Sequence, residues 1–460
     1  MRLRLLTACI FSVALLGLAA WSSPSLAQDN DQDISGANGV IIDAEGVLRL
    51  QHYPDPGGRL AKKRVAQARA NLNPDVARPS ALRKVSLNRL EAAIAKQLAD
   101  GQAPTEEMQF LAGLTRIQYV FYYPETKDIV VAGPAEGWAL DAANHMCGIQ
   151  SGLPVIQLQD LIVALRAYPP QGRQTPAILV SIDPTPEGLA KMQDFLRRIR
   201  GNLRPSDAQM IVNGLRTNLG MQNIRIDGVA PNTHFAQVLL ECDYRMKLIG
   251  LGMEKPPVRM ASYVDRATAS ANNALERWYF IPDYQCARVA ADQLGLELVG
   301  DTVKLVSENQ VVAGDGSRAV SGKSNRASEL FTTTFTKKYA ELSAKLPVFA
   351  EMRNMIDLAI AAAFISQQNF YAESGWQADL FHDESRLAVE TENTPKQVET
   401  VCTAVWKGGR LFTPVGGGVT IHPREALQAG NVLADEDGKI STVRQSVDLK
   451  DLPADRWWWD

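Results

Sequence analysis

An α+β fold, with mixed sheets, hairpins and a β-meander packed against several long helices, is what this sequence predicts. Three observations predict it. Extended segments rich in β-branched and aromatic residues are spread along the whole chain. Runs with helical 3.6-residue periodicity lie between them. The two kinds of segment never settle into a sustained strand-helix-strand alternation, so a doubly wound parallel sheet is not expected.

The first residues address the compartment. Arg2 and Arg4 form a positive head, Leu5 to Ala20 is apolar, and Ser25-Leu26-Ala27 places small residues at −3 and −1 of a cut after Ala27. That pattern predicts a signal peptide over 1–27 and an exported product, periplasmic or extracellular, starting near Gln28. Leu6-Thr7-Ala8-Cys9 imitates a lipoprotein motif, but its apolar run follows the cysteine instead of preceding it. No later stretch has the ~20 apolar residues needed to span a bilayer, so the mature chain is expected to carry no transmembrane helix. Composition shifts divide the remainder into an N-terminal α+β region with a basic helical arm (28–170), a strand-helix-helix-strand-helix region (171–257), and a C-terminal region of β-meander, long helices and closing hairpin (258–460).

In the first region, apolar runs on either side of Asp43-Ala-Glu-Gly46 read as a hairpin. Leu87, Leu90, Ile94 and Leu98 recur at helical spacing after Ser86, and Thr105 opens a further short helix. Ile117 to Ala132 reads as an aromatic hairpin, and Val155 to Tyr168 begins extended and ends helical before Pro169-Pro170. In the second region, Ala177 to Ile182 reads as a buried strand, and Thr185 followed by Pro186 as a helix start. Ser206 with Gln209 suggests a capping box, Asn223 to Asp227 a strand, and Thr233 the cap of a long helix. That helix would turn Phe235, Val238, Leu239, Cys242, Met246 and Ile249 inward. In the third region, short strands between Arg277 and Val312 suggest the meander, and Ala313 to Arg326 a loop. Val348 to Gln368 is apolar nearly all round, as a core helix would be, and a hairpin closes around Lys407-Gly-Gly-Arg410.

The net charge of −3 becomes about −5 once Arg2 and Arg4 leave. The charge is uneven, with nine Lys/Arg and only Asp75 as an acid between Arg59 and Arg89. Arg59, Lys62, Lys63, Arg64 and Arg69 are therefore candidate polyanion contacts, although no aromatic residue interleaves them and no clear nucleic-acid signature results. Cys147, Cys242, Cys286 and Cys402 remain after Cys9 is removed, an even number that permits disulfides among them in an oxidising compartment. Neither a CxxC nor an HExxH occurs, so no metal site and no cofactor is expected.

Several blocks carry a resemblance. They are Tyr119 to Trp138 (YVFYYPETKDIVVAGPAEGW), Ser181 to Leu189 (SIDPTPEGL), Cys242 to Leu248 (CDYRMKL), Trp278 to Tyr284 (WYFIPDY), Val348 to Asn354 (VFAEMRN) and Gly416 to Val419 (GGGV). In wording and order they resemble an uncharacterised secreted bacterial family catalogued as domain of unknown function 1598, over nearly the whole mature chain. The resemblance implies bacterial export. It brings no catalytic residue with it.

For chemistry the sharpest group is Asp141, His145 and Cys147: an i,i+4 carboxylate to orient an imidazole, and a thiol two residues on. Asp183, at a strand-to-helix handover, is a further catalytic candidate. Against both stand structural readings, a hydrogen-bonded histidine beside a buried cysteine and an Asp-Pro turn. Gly416-Gly-Gly418 lacks phosphate-loop spacing, and Arg353 with Asp357 forms an expected buried i,i+4 pair. Trp457, Trp458 and Trp459 would form a large sticky patch if exposed, so packing or docking of the tail is expected. The reading these features favour is an exported, soluble, non-catalytic binding or envelope-associated module, with an envelope protein or polymer as partner. The alternatives are a hydrolase whose site assembles only in three dimensions, and a polyanion binder.

Overall fold

The computed structural model describes residues 36–199, 204–267, 274–312, 317–320, 325–406, 410–412, 415–446, 449, 452–453 and 455–460. The segment 1–27 expected as a signal peptide, most of the loop expected at 313–326, and the turn expected at 407–409 lie outside the described residues.

The architecture is α+β, built on two large mixed sheets. The first runs Gly36–Ile42, Val47–Pro54, Gln397–Glu399, Met221–Asp227, Ile178–Pro184, Val415–Ile421, Ala274–Pro282, Val303–Val312, Arg318–Val320. The second runs Leu433–Ala434, Ala287–Val289, Gly295–Leu298, Tyr119–Tyr123, Asp128–Ala135, Ser80–Ser86, Trp458–Trp459. The short strands after Pro257 thus divide between the sheets. Three helices join them: α1 (Leu158–Ala167), α2 (His234–Gly250) and α3 (Pro347–Gln367). They pack on one another, with α2 against the central strands of the first sheet and α3 reaching Gly295–Leu298 of the second. One apolar cluster therefore draws on all three sequence regions.

Local chemistry sets the helix starts. Ser86, Thr105, Thr185 and Thr233 each accept a backbone N–H in the first turn of the helix they precede. Ser206 does not act as expected: it sits in a short 3₁₀ turn, and Asp207 accepts the Arg204 N–H at 2.7 Å instead. The expected Arg353–Asp357 pair is also replaced. Asp357 accepts from Arg116 Nε at 2.9 Å and from the Thr302 hydroxyl at 2.7 Å, while Arg353 lies 4.0 Å from Asp301. Two contacts from other elements, Arg116 and Thr302, thus hold the carboxylate in place of the i,i+4 neighbour.

Gly417 and Gly418 lie inside a strand flanked on both sides, by Ala274–Pro282 and Ile178–Pro184. A Cβ on Gly418 would overlap the Val180 carbonyl, and one on Gly417, whose φ is +132°, the Trp278 carbonyl. The glycine run is thus explained by close backbone approach. Gly418→Ala is expected to cost more than about 2 kcal/mol, read as a lowered denaturation midpoint.

The tail forms the edge of the second sheet. Trp458 pairs with Val85 and Trp459 with Lys84, and Ser86 N donates to Trp457 O at 2.9 Å. Trp457 and Trp459 are buried, Trp459 among Tyr119, Phe121 and Val130. Trp458 faces the other way, 4.7 Å from the Arg83 guanidinium. Arg83 is fully buried, and Asp460 accepts from its Nε at 2.8 Å.

The disulfides allowed by the cysteine count do not form: Cys147, Cys242, Cys286 and Cys402 are free and buried. The reason is placement. Cys147 lies on a two-stranded hairpin, Cys242 on α2 with its thiol 3.1 Å from Val348 O, Cys286 beside the strand Ala287–Val289, and Cys402 in a separate cluster under Ala208–Leu219.

Candidate functional site

A cleft of about 380 Å³ gathers ionisable groups from all three regions. One wall is the strand Gly36–Ile42 with Tyr53 beside it. The other is a face of α2, where His234, Gln237, Val238 and Glu241 recur at i, i+3, i+4 and i+7. His145, from the hairpin turn after Trp138–Leu140, and Glu351, from α3, form the floor, and Glu392 stands at the rim.

Each imidazole in the cleft is held by a buried carboxylate. His145 Nδ1 lies 2.9 Å from both Glu351 oxygens, and His234 Nδ1 lies 3.0 Å from both Asp160 oxygens. Glu351 and Asp160 are 5% and 1% exposed, whereas His145 and His234 retain 14% and 23%, so the rings are the parts that meet the cleft. Gln157 stands 3.4 Å from His234 Nε2. Deeper in, Arg245 donates to Glu241 at 3.2 Å and to Glu254 at 2.6 Å.

The electrostatics follow from that geometry. Burial opposes a charge on His145, but the Glu351 carboxylate, supported by Glu241 and Asp141, outweighs it and pushes the imidazole up to about 10. Burial likewise opposes protonation of His234, and Asp160 with Glu351 pushes it up to about 9. Burial raises Glu351 less than the two imidazolium charges lower it, so it stays a carboxylate. Burial raises Asp160 and Glu241. Both histidines are thus held toward the doubly protonated form, each donating to its carboxylate.

Asp141, His145 and Cys147 are brought close but not as a catalytic set. Asp141 and His145 face each other across a tight hairpin, not along a helix. The Asp141 carboxylate accepts the His145 backbone N–H at 2.8 Å, leaving the imidazole to Glu351. The Cys147 thiol is pushed up by burial and by the charges of Glu351, Asp141 and Glu136, which is the reverse of what a nucleophile needs. Asp183 is elsewhere, accepting from Arg277 Nη2 at 2.9 Å. On the basic arm, Arg64 is spent on the Asp141 carbonyl and on Asn144, while Arg59, Lys62, Lys63 and Arg69 remain exposed on the helix Arg59–Asn71. Among the described residues no three His, Cys, Asp or Glu side chains could hold a metal ion. Thiol titration of the chain from Gln28 should count four free thiols after denaturation without reductant and none in the folded state.

Sequence reasoning missed His234, Gln237, Glu241 and Glu351. The signal available on α2 was the polar stripe of His234, Gln237 and Glu241 at i, i+3 and i+7. That stripe reads as a solvated face until the fold covers it. Comparison with curated proteins and with solved structures finds no match. Residues 180–263 match the model of the family described as Protein of unknown function (DUF1598), so the resemblance read from the motifs holds over the stretch that carries α2.

Proposed function

We propose that this chain is an exported, non-catalytic binding module whose ligand occupies the cleft between Gly36–Ile42 and α2, and whose partner is an envelope protein or polymer. The observation that carries this reading is the pairing of both imidazoles, through Nδ1, with buried carboxylates. It holds both rings, oriented, in a preformed polar wall, and the Cys147 thiol offered with them as a nucleophile is pushed up by burial. Export rests on the charged head, apolar run and small-residue cut site of 1–27.

One observation favours a second reading. A carboxylate-held imidazole such as His145–Glu351 is also the base-and-orienter half of a hydrolytic set. A screen of purified protein decides between the two. The expected result is a ligand that raises the melting temperature, with no turnover of ester, peptide or glycoside substrates. Turnover that His145→Gln abolishes would replace the binding reading with the hydrolytic one. For the basic arm, salt-sensitive retention on heparin that a Lys62→Ala/Lys63→Ala double variant removes would favour polyanion binding instead.

A further inference from the structure

We propose that the cleft takes an extended, lysine- or arginine-bearing segment of a partner protein, docked as an added strand on the outer edge of Gly36–Ile42. This rests on the binding reading above and names its ligand.

The first support is a sheet edge. Gly36–Ile42 ends the larger sheet and pairs on its inner side with Val47–Pro54. On its outer side two carbonyls already accept from side chains: Asn38 O from Arg245 Nη1 and Ile42 O from Asn393 Nδ2, each at 3.0 Å. The two-residue period of a strand puts the Val40 N–H and C=O on that same outer edge, between them. Val40 lines the cleft. An incoming strand would pair with Val40 and send alternate side chains toward α2.

The second support is charge. Glu241, Glu351 and Glu392 line the cleft, with Asp141, Asp160 and Glu254 behind them. His145, His234, Arg245 and Arg64 answer them, leaving carboxylates in excess. The Tyr53 hydroxyl is raised by burial and by Glu241 and Glu392, as a negative cleft requires. A cationic side chain is the complement that this wall lacks. The third support is Gln237, on the cleft wall, whose buried Nε2 has no hydrogen-bond partner. An unpaired buried amide of this kind calls for an acceptor, and a small turn of the side chain would bring it to the cleft.

The test is calorimetric titration of the chain from Gln28 with a short peptide alternating lysine and valine. Matched probes are the same peptide N-methylated on alternate amides, its glutamate counterpart, and spermidine. The lysine peptide is expected to bind. N-methylation should weaken it at least about tenfold, and the glutamate peptide should not bind. Val40→Pro removes the outward N–H of an edge strand together with a side chain packed on the core, so it should weaken binding similarly, with circular dichroism confirming that the variant folds. No binding of the lysine peptide, or equal binding of the N-methylated form, overturns the proposal, as does tighter binding of spermidine. If the peptide fails but another ligand stabilises the protein through the cleft, the binding reading survives without this ligand class. Cleavage of the peptide would remove the binding reading itself.

Discussion

Deleting Trp457–Asp460 lowers the unfolding free energy by about 5 kcal/mol or more, close to the whole net stability of an ordinary domain. Two buried indoles leave pockets, Trp459 beside Tyr119, Phe121 and Val130, and Trp457 in the main apolar cluster. Truncating a buried Trp costs about 3–5 kcal/mol by itself. The Arg83 guanidinium, fully buried, keeps its carbonyl acceptors at Val76 and Ala112 but loses the Asp460 carboxylate and the Trp458 ring above it. A buried cation without its anion is destabilising in its own right, and the losses overlap because the groups touch. Single variants should rank the parts. Trp459→Ala costs most and Trp458→Ala, half-buried, costs least, with Asp460→Asn between them. Urea denaturation of the four proteins reads the ranking. An unchanged midpoint for the truncated chain would show that the tail only rests on the sheet.

Glu351→Ala costs about 3–5 kcal/mol at neutral pH, because it leaves His145 buried with no carboxylate. Glu351→Gln keeps an acceptor and loses less. The pH dependence carries the sign. An unfolded histidine titrates near ~6.5, and in the fold His145 and His234 titrate at about 10 and about 9. The folded state therefore holds protons that the unfolded state has released. The stability supplied by the two pairs is complete below ~6.5 and is lost as pH rises through the folded values. The native protein should weaken steadily between neutral pH and about 10. Glu351→Ala should flatten the His145 part of that slope and only lessen the His234 part, which Asp160 mainly holds.

Much of the scaffold was legible because its determinants are local. Thr185 with Pro186, Thr233 and Ser86 announce helix starts within four residues, and the aromatic hairpin around Pro124 declares both its strands. The run of α3, apolar nearly all round, announced its own burial. The cleft was not legible because its partners are remote. Glu351 reaches His145 across 206 positions and Asp160 reaches His234 across 74. Asp141 and His145 suggested a helical dyad by their spacing, yet Asn144, at φ +69°, turns the chain into a hairpin there and hands the imidazole to another element. Buried charge on α2 had the same sequence signature as solvated charge, and only the elements packed over it separate the two: Gly36–Ile42 at Glu241, and the strands of Ile182 and Gly417 at Lys247.

The account rests on a cleft whose walls hold two imidazoles charged by buried carboxylates. Histidine-selective nitrogen NMR, with the rings assigned through His145→Gln and His234→Gln, measures this directly. Both rings should remain doubly protonated through neutral pH and titrate at about 10 and about 9. Midpoints near the ordinary ~6.5 for both would contradict the pairing on which the site is built.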